Sequence, residues 1–160
     1  MNGADQKLEY SERALKAKAF FEQGYNCAQS VALAFCDETG LTPETAAKLA
    51  SSFGAGMGRL REVCGAVSGA LLVLGAVKGV SDPQNRQGKT AQYKEIQEFA
   101  NRFRELNGSI VCRELLGLKE KTSEPTPEQR TPEYYRKRPC GDLVACSTLI
   151  LEETLGITRE

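Results

Sequence analysis

The chain has 160 residues, with 21 basic and 21 acidic side chains and no histidine. The balanced charge excludes a general electrostatic attraction to nucleic acid or to an anionic membrane, so partners must be recognised locally. The lack of histidine excludes Ser-His-Asp triads, imidazole-ligated haem and histidine-based zinc sites. A chain of this length predicts one domain over residues 1–160, with a core large enough to fold without disulfides.

The N-terminal residues 1–10 contain neither a basic segment followed by an apolar stretch nor a twin-arginine pair. We therefore expect a cytoplasmic protein, whose thiols are kept reduced. The uncharged run over residues 65–77 is shorter than the roughly 18 residues of a membrane span. It predicts a buried core helix and no membrane insertion.

Apolar spacing and capping residues predict three helices in the first third of the chain. The first covers about residues 6–23, with Leu15 on its apolar face. The second begins at Asn26 as N-cap and places Cys27 in its first turn, on the buried side. The third begins after Thr42, an N-cap followed by proline, and ends at a group of glycines.

The most apolar part of the chain follows a glycine-rich turn at Gly54, Gly56 and Gly58. We predict a helix over about residues 62–79 that is apolar on nearly all sides and therefore lies in the middle of a bundle. Cys64 lies near its start, where Gly65 and Gly69 allow a neighbouring backbone to approach closely. Without a preceding strand, the glycines are poor evidence for a phosphate site, so we assign them to close approach around Cys64.

The next stretch predicts one long and one short helix. The long helix covers about residues 83–107, with Asp82 as N-cap and Tyr93 in its apolar stripe. The short helix, with Ser109 as its cap, carries Cys112.

The last part of the chain begins with a proline-rich segment at about residues 118–139, which predicts an exposed, extended path with one helical turn. Within it, we interpret Tyr134 and Tyr135 as packing residues. Cys140 then opens the final helix. The whole pattern predicts an all-α, single-domain bundle of about six to seven helices around the central helix.

Four of the six cysteines share a position in this outline, because each lies at or near the start of a helix: Cys27, Cys64, Cys112 and Cys140. Unpaired N–H groups and the helix dipole stabilise a thiolate there, which favours a nucleophile or a metal ligand. We place Cys36 and Cys146 mid-helix or late and interpret them as small buried hydrophobes. Because no Cys-x-x-Cys pair is present, a metal site would need ligands from four separate helices.

The basic residues near these cysteines carry less information. We interpret Arg59 and Arg61 as solvated surface charges, although they could also balance an anionic group or contact an acidic partner. The basic run at residues 136–138 is too short to indicate nucleic-acid binding.

Three segments together resemble a known family. They are Asn26-Cys27-Ala28-Gln29-Ser30, Phe53-Gly54-Ala55-Gly56-Met57-Gly58 and Cys64-Gly65-Ala66-Val67-Ser68-Gly69, with later cysteines at 112 and 140. This order is similar to the redox-active proteins named for a C-GCAxxG-C-C pattern, over about residues 20–155. The resemblance implies a mostly helical protein whose four shared cysteines hold a prosthetic group or cycle between thiol and disulfide. A related domain accompanies haem in split-Soret-type cytochromes, where an iron–sulfur cluster is associated with it.

The first functional hypothesis is an iron–sulfur protein in which Cys27, Cys64, Cys112 and Cys140 bind a [2Fe–2S] or [4Fe–4S] cluster, which aerobic preparation would remove. It would carry single electrons between partner proteins rather than act as a stand-alone enzyme. Backbone N–H groups near the cluster would come from the residues around it: Gly56, Gly58 and Gly65. The alternatives are a metal-free thiol–disulfide protein and a structural zinc site with four cysteine ligands or a helical interaction module. The partners are not defined by the sequence, which also leaves a homo-oligomer open.

Overall fold

The computed structural model describes residues 8–120 and 123–157, and these contain helices and turns with no β-strand. In chain order the helices are α1 (Glu12–Glu22), α2 (Cys27–Ala34), α3 (Cys36–Thr39), α4 (Pro43–Ala50), the left-handed turn α5 (Gly54–Met57), α6 (Gly65–Lys78), α7 (Arg86–Asn107), α8 (Cys112–Leu115), α9 (Pro132–Lys137) and α10 (Cys140–Leu155). A 3-10 turn, Ser51–Phe53, connects α4 to α5. Within these ranges, six helices have eight or more residues. The predicted all-α bundle is therefore confirmed.

Helix α6 lies at the centre of the bundle, as predicted. Helix α2 packs along one side of it, α10 along another, and α7 covers α10. The N-terminal half of α6 is buried, including Ala66, Val67 and Ala70, whereas its last turn reaches the surface. The expectation of a helix buried on nearly all sides is therefore wrong for the last turn, where Val77 is 37% exposed, although Val73 and Leu74 are still buried.

The contact between α2 and α6 depends on two glycines. A Cβ atom at Gly69 would lie 2.6 Å from the carbonyl oxygen of Ala28, and one at Gly65 would lie 3.0 Å from the Cβ of Cys27. Two helices with side chains at these positions could not approach so closely. The predicted close approach beside Cys64 is therefore present, and the neighbour is α2.

The apolar face of α1 differs from the prediction. Ala14, Ala17 and Phe21 are its buried residues, whereas Leu15 is 54% exposed. Ser11 caps this helix by accepting a hydrogen bond from the N–H of Ala14. The small alanines allow α1 to pack closely against α10. The size of the apolar side chains therefore did not identify the buried face of α1.

The predicted caps of α7 and α8 are also wrong. Asn85, rather than Asp82, caps α7 by accepting from the N–H of Gly88, because Asp82 is engaged in a turn with Gln84. The Ser109 hydroxyl accepts from the N–H of Val111 and closes a turn before α8 instead of capping it.

The long helix α7 buries only a narrow face. Phe99 and Phe103 are its buried residues, whereas Tyr93, which was predicted to lie in the apolar stripe, is 60% exposed. No helix in the described ranges is long and apolar enough to cross a membrane.

The proline-rich segment runs over the surface, with Pro125 and Pro127 exposed, and it contains the helical turn α9. Hydrogen bonds connect it to distant parts of the bundle. Arg130 donates to the carbonyls of Phe21 and Tyr25, and the Tyr135 hydroxyl donates to the carbonyl of Glu22. The segment is therefore fixed across the end of α1.

We expect Gly69→Ala and Gly75→Ala to have opposite effects on stability. Both lie inside α6, where alanine gains about 1 kcal/mol of helix propensity. At Gly75 no atom lies within 4 Å of the added Cβ, so the gain remains. At Gly69 the clash with the Ala28 carbonyl forces α2 outward, and overpacking of this kind costs about 1–3 kcal/mol.

Urea unfolding followed by far-UV circular dichroism measures both free energies of unfolding. Gly75→Ala should be more stable than the wild type, and Gly69→Ala should be less stable. Equal stabilisation of both variants would contradict the close contact between α2 and α6.

Candidate functional site

The four cysteines at predicted helix starts surround one cavity. Cys27, Cys112 and Cys140 are the first residues of α2, α8 and α10, and Cys64 is the residue immediately before α6. All four are buried and line a cavity of about 260 Å³. The expectation that these helix starts converge is met by the geometry, whereas a role in binding a metal or cofactor remains a prediction.

Helix packing brings three of these cysteines to the cavity. The close contact at Gly65 and Gly69 positions Cys27 beside Cys64. Helix α10 packs against both α2 and α6, and its Ser147 hydroxyl donates to the carbonyl of Ala66 at 2.7 Å. This hydrogen bond fixes the register of α10, which begins at Cys140.

A short antiparallel bridge brings Cys112 to the same place. Val63 and Val111 pair, and the N–H of Cys64 donates to the carbonyl of Ile110 at 2.8 Å. The N–H of Cys112 donates in turn to the carbonyl of Glu62 at 2.6 Å. The residues just before α6 and those just before α8 are therefore hydrogen-bonded to each other. No repeat in the sequence indicated this pairing.

The glycine-rich turn forms one wall of the cavity in an unusual conformation. Five consecutive residues, 55–59, have positive φ angles, as does Arg61 at 59°. All positive-φ residues other than glycine in the described ranges lie here: Ala55, Met57, Arg59 and Arg61. Each costs roughly 1–2 kcal/mol relative to ordinary helical geometry, and backbone strain of this kind concentrates at functional sites.

Gly56 explains why the turn is so tight. A Cβ atom there would lie 2.6 Å from the Cβ of Cys112 and 2.7 Å from the Cα of Arg61. Gly58 and Gly65 also line the cavity. Gly56 serves close approach, as predicted, but its neighbour is Cys112 rather than Cys64. The prediction is wrong for Gly58, since a Cβ atom there would meet only the Ser52 carbonyl oxygen, at an ordinary contact distance of 3.7 Å.

Four arginines also line the cavity: Arg59, Arg61, Arg130 and Arg138. Glu128 is the single carboxylate among the lining residues. The prediction that Arg61 is a solvated surface charge is wrong, since it is only 5% exposed. Its Nη1 atom lies 3.7 Å from the Sγ of Cys112. Positive φ at Arg61 directs the chain inward, and nothing in the sequence pattern indicated that conformation.

Two further arginines come from the proline-rich segment, which sequence reasoning treated as an exposed connection. The guanidinium of Arg130 stacks on the rings of Phe21 and Tyr134, at 4.4 and 5.0 Å from their centroids. Arg138 pairs with Glu128. An arginine close to aromatic residues in sequence was a signal for this stacking.

Burial dominates the acidity of two of the four cavity thiols, Cys64 and Cys112. Burial raises the pKa of Cys64 to about 12, although backbone N–H groups of α6 act in the opposite direction. Burial also raises the pKa of Cys112, against the nearby Arg61 charge. The expectation that helix starts lower these thiol pKa values is therefore wrong for them, because desolvation of the thiolate outweighs the helix dipole.

Cys140 behaves differently from its neighbours. A hydrogen bond from the Cys27 thiol lowers the pKa of Cys140, and Arg138, Arg130 and Arg61 act in the same direction against burial. The same contact, together with burial, raises the pKa of Cys27 well above its usual value. Cys140 is therefore the thiol of the four that most readily carries a negative charge.

The four cavity thiols do not form a compact metal-binding group. Within residues 8–120 and 123–157, no three cysteine or acidic side chains are grouped closely enough to hold one metal ion. Four thiols nevertheless face a shared space from separate helices. Thiolates are the ligands that iron–sulfur clusters use, and such clusters accept them from widely spaced segments.

The remaining two cysteines do not line this cavity. Cys146 is buried in α10, where it accepts a hydrogen bond from the side chain of Asn107 at 3.4 Å. Cys36 is half-buried and donates to the carbonyl of Ala32. The mid-helix placement of Cys36 is wrong, because the chain breaks at Phe35 and Cys36 opens the one-turn helix α3.

Comparison with known proteins identifies a family. Residues 25–154 match the family described as "Putative redox-active protein (C_GCAxxG_C_C)". No curated protein and no solved structure matches the chain. The matched range contains all four cavity cysteines and most of the bundle. The chain therefore belongs to the C_GCAxxG_C_C family of redox-active proteins.

Proposed function

We propose that this protein transfers electrons through an iron–sulfur cluster held by Cys27, Cys64, Cys112 and Cys140. The observation that carries the proposal is the convergence of four buried cysteines, each at a helix start, on one arginine-lined cavity. When bound by four thiolate ligands, such a cluster would accept and release one electron at a time. Membership of a redox-active family supports the general class of chemistry.

The charges around the cavity suit an anionic group. Four thiolates bring more negative charge than the iron–sulfide core of a cluster compensates, because the inorganic sulfides offset much of the iron charge. Burial makes that excess costly. Four arginines and one glutamate line the cavity, which leaves a positive surplus. The protein residues would therefore offset the charge of the loaded centre.

The segments over the cavity suggest how partners approach. Met57 and Leu60, 40% and 51% exposed, lie on the strained turn beside Arg59. A redox partner that contacts this turn would lie near Cys112, since a Cβ atom at Gly56 of the turn would lie 2.6 Å from the Cβ of Cys112. We therefore propose an electron carrier that serves partner proteins in a reducing compartment such as the cytoplasm, rather than a stand-alone enzyme.

We expect each of the four cavity cysteines to be required for the cluster. Anaerobic reconstitution of the wild type with iron and sulfide should give a brown protein with visible charge-transfer absorption. Serine variants of Cys27, Cys64, Cys112 and Cys140 should lose most of that absorption, because a thiolate ligand is missing.

Cys36→Ser and Cys146→Ser are matched controls, since both residues lie outside the cavity. They should retain the wild-type iron and sulfide content. A wild-type protein that stays colourless and free of iron after reconstitution would contradict the proposal, whereas stoichiometric zinc without a redox response would favour the structural alternative.

One observation favours metal-free thiol–disulfide exchange as a second candidate. A hydrogen bond from the Cys27 thiol lowers the pKa of Cys140. The Cys140 thiolate would attack a low-molecular-weight disulfide and release one thiol. The Cys27 thiol, losing its proton, would then displace the second, leaving a Cys27–Cys140 disulfide and two reduced thiols.

We expect alkylation near neutral pH to separate the cavity cysteines. The rate at Cys140 should rise at a lower pH than the rate at Cys64, because its lowered pKa makes the thiolate available earlier while the pKa of Cys64 is about 12. Peptide mass spectrometry after timed labelling of the cluster-free protein measures both rates. Slower labelling of Cys140 than of Cys64 across the pH range would count against Cys140 as the attacking thiol.

A further inference from the structure

We infer that Arg61 is a positioning residue that raises the reduction potential of the centre by placing a permanent positive charge at the Cys112 sulfur. The inference rests on the proposed iron–sulfur function. It concerns a residue that the sequence pattern of cysteines and glycines does not include.

The guanidinium of Arg61 is held in place from several sides. Its Nη1 atom donates to the Sγ of Cys112 at 3.7 Å, and its Nε atom donates to the hydroxyl of Ser123 at 3.0 Å. Its own carbonyl accepts from the backbone N–H of Arg113 at 3.2 Å. The side chain therefore has little freedom to turn away from Cys112.

The other three cavity arginines are engaged differently. Arg59 donates through Nε to the carbonyl of Glu124, and Arg130 donates to two carbonyls near the end of α1. Arg138 has its charge offset by the carboxylate of Glu128. Of these four arginines, only Arg61 donates a hydrogen bond from its guanidinium to a cavity cysteine. No carboxylate in the described ranges forms an ion pair with Arg61.

The backbone also keeps Arg61 in this position. Its φ angle is 59°, a left-handed conformation that is unfavourable for a residue with a side chain. Gly56 passes so close that a Cβ atom there would lie 2.7 Å from the Cα of Arg61. The glycine-rich turn and Arg61 pack against each other, and this packing offsets the backbone strain at Arg61. The guanidinium therefore stays buried.

The direction of the effect follows from electrostatics. Reduction adds one electron, and so one unit of negative charge, to a centre ligated by Cys112. A nearby buried cation stabilises the reduced form more than the oxidised form, since neighbouring charges act strongly where water is excluded. A hydrogen bond to a ligand sulfur acts in the same direction. Arg61 should therefore raise the potential.

The experiment is a redox titration of anaerobically reconstituted full-length protein with dithionite as the electron donor. Arg61→Gln should shift the midpoint potential to more negative values, and Arg61→Lys should lie between it and the wild type. Arg102→Gln is the matched control, since it removes the same charge from an exposed position on α7 and should leave the potential unchanged. The Arg61→Gln shift should persist in high salt, because buried charges are poorly screened.

The outcomes distinguish the two claims. If the wild type takes up no cluster, both the proposed function and this inference fail. If wild type and Arg61→Gln both hold a cluster with the same midpoint potential, the inference alone is overturned.

A variant of Ser123 covers the case in which Arg61→Gln does not fold or load. Ser123→Ala removes the hydrogen-bond partner of the Arg61 Nε while the charge remains. It should give a smaller negative shift, together with a wild-type unfolding midpoint for the cluster-free protein. An unchanged potential in Ser123→Ala would then overturn the inference.

Discussion

The close contact of α2 with α6 is the constraint on which the rest of the structure depends. Gly65 and Gly69 remove the side chains that would separate the helices, so the backbone of α2 lies directly against α6 at Ala28. That contact places the start of each helix, and with it Cys27 and Cys64, at one end of the bundle. Helix α10 packs into the groove that these two helices form, which adds Cys140. The cavity is thus a consequence of how the core packs.

Two opposing electrostatic effects then determine the chemistry available at that end of the bundle. Removing the thiols from water favours their neutral form, and this effect dominates at Cys64 and Cys112. Four helix starts and four arginines favour negative charge. The balance differs between the thiols. Only at Cys140 do the hydrogen bond from Cys27 and the nearby arginines outweigh burial and lower the pKa. Neutral thiols do not offset the positive charge of the arginines, so that charge would stabilise a bound anionic group.

Much of the fold and part of the site could be predicted from the sequence. Helix caps and glycine spacing are local, so they located the central helix and the four cysteines at helix starts. The phase of α1 could not be predicted, because small alanines pack closely where Leu15 does not. Arg61 and the bridge near Val63 depend on contacts between distant segments, and no local pattern encodes them. The left-handed turn was missed because alanine, methionine and arginine rarely adopt it.

The four cavity cysteines are not anchored equally. Cys27 and Cys140 open helices of eight or more residues, and Cys64 directly precedes one. Cys112 instead opens the four-residue helix α8, which a few backbone hydrogen bonds hold against Glu62 and Arg61. Short elements with few packed neighbours open at free energies far below that of global unfolding. The cavity therefore has one less stable side, where fraying of a single helical turn would expose one cysteine while the rest of the bundle stays folded. Assembly and loss of a bound group would both proceed through that side.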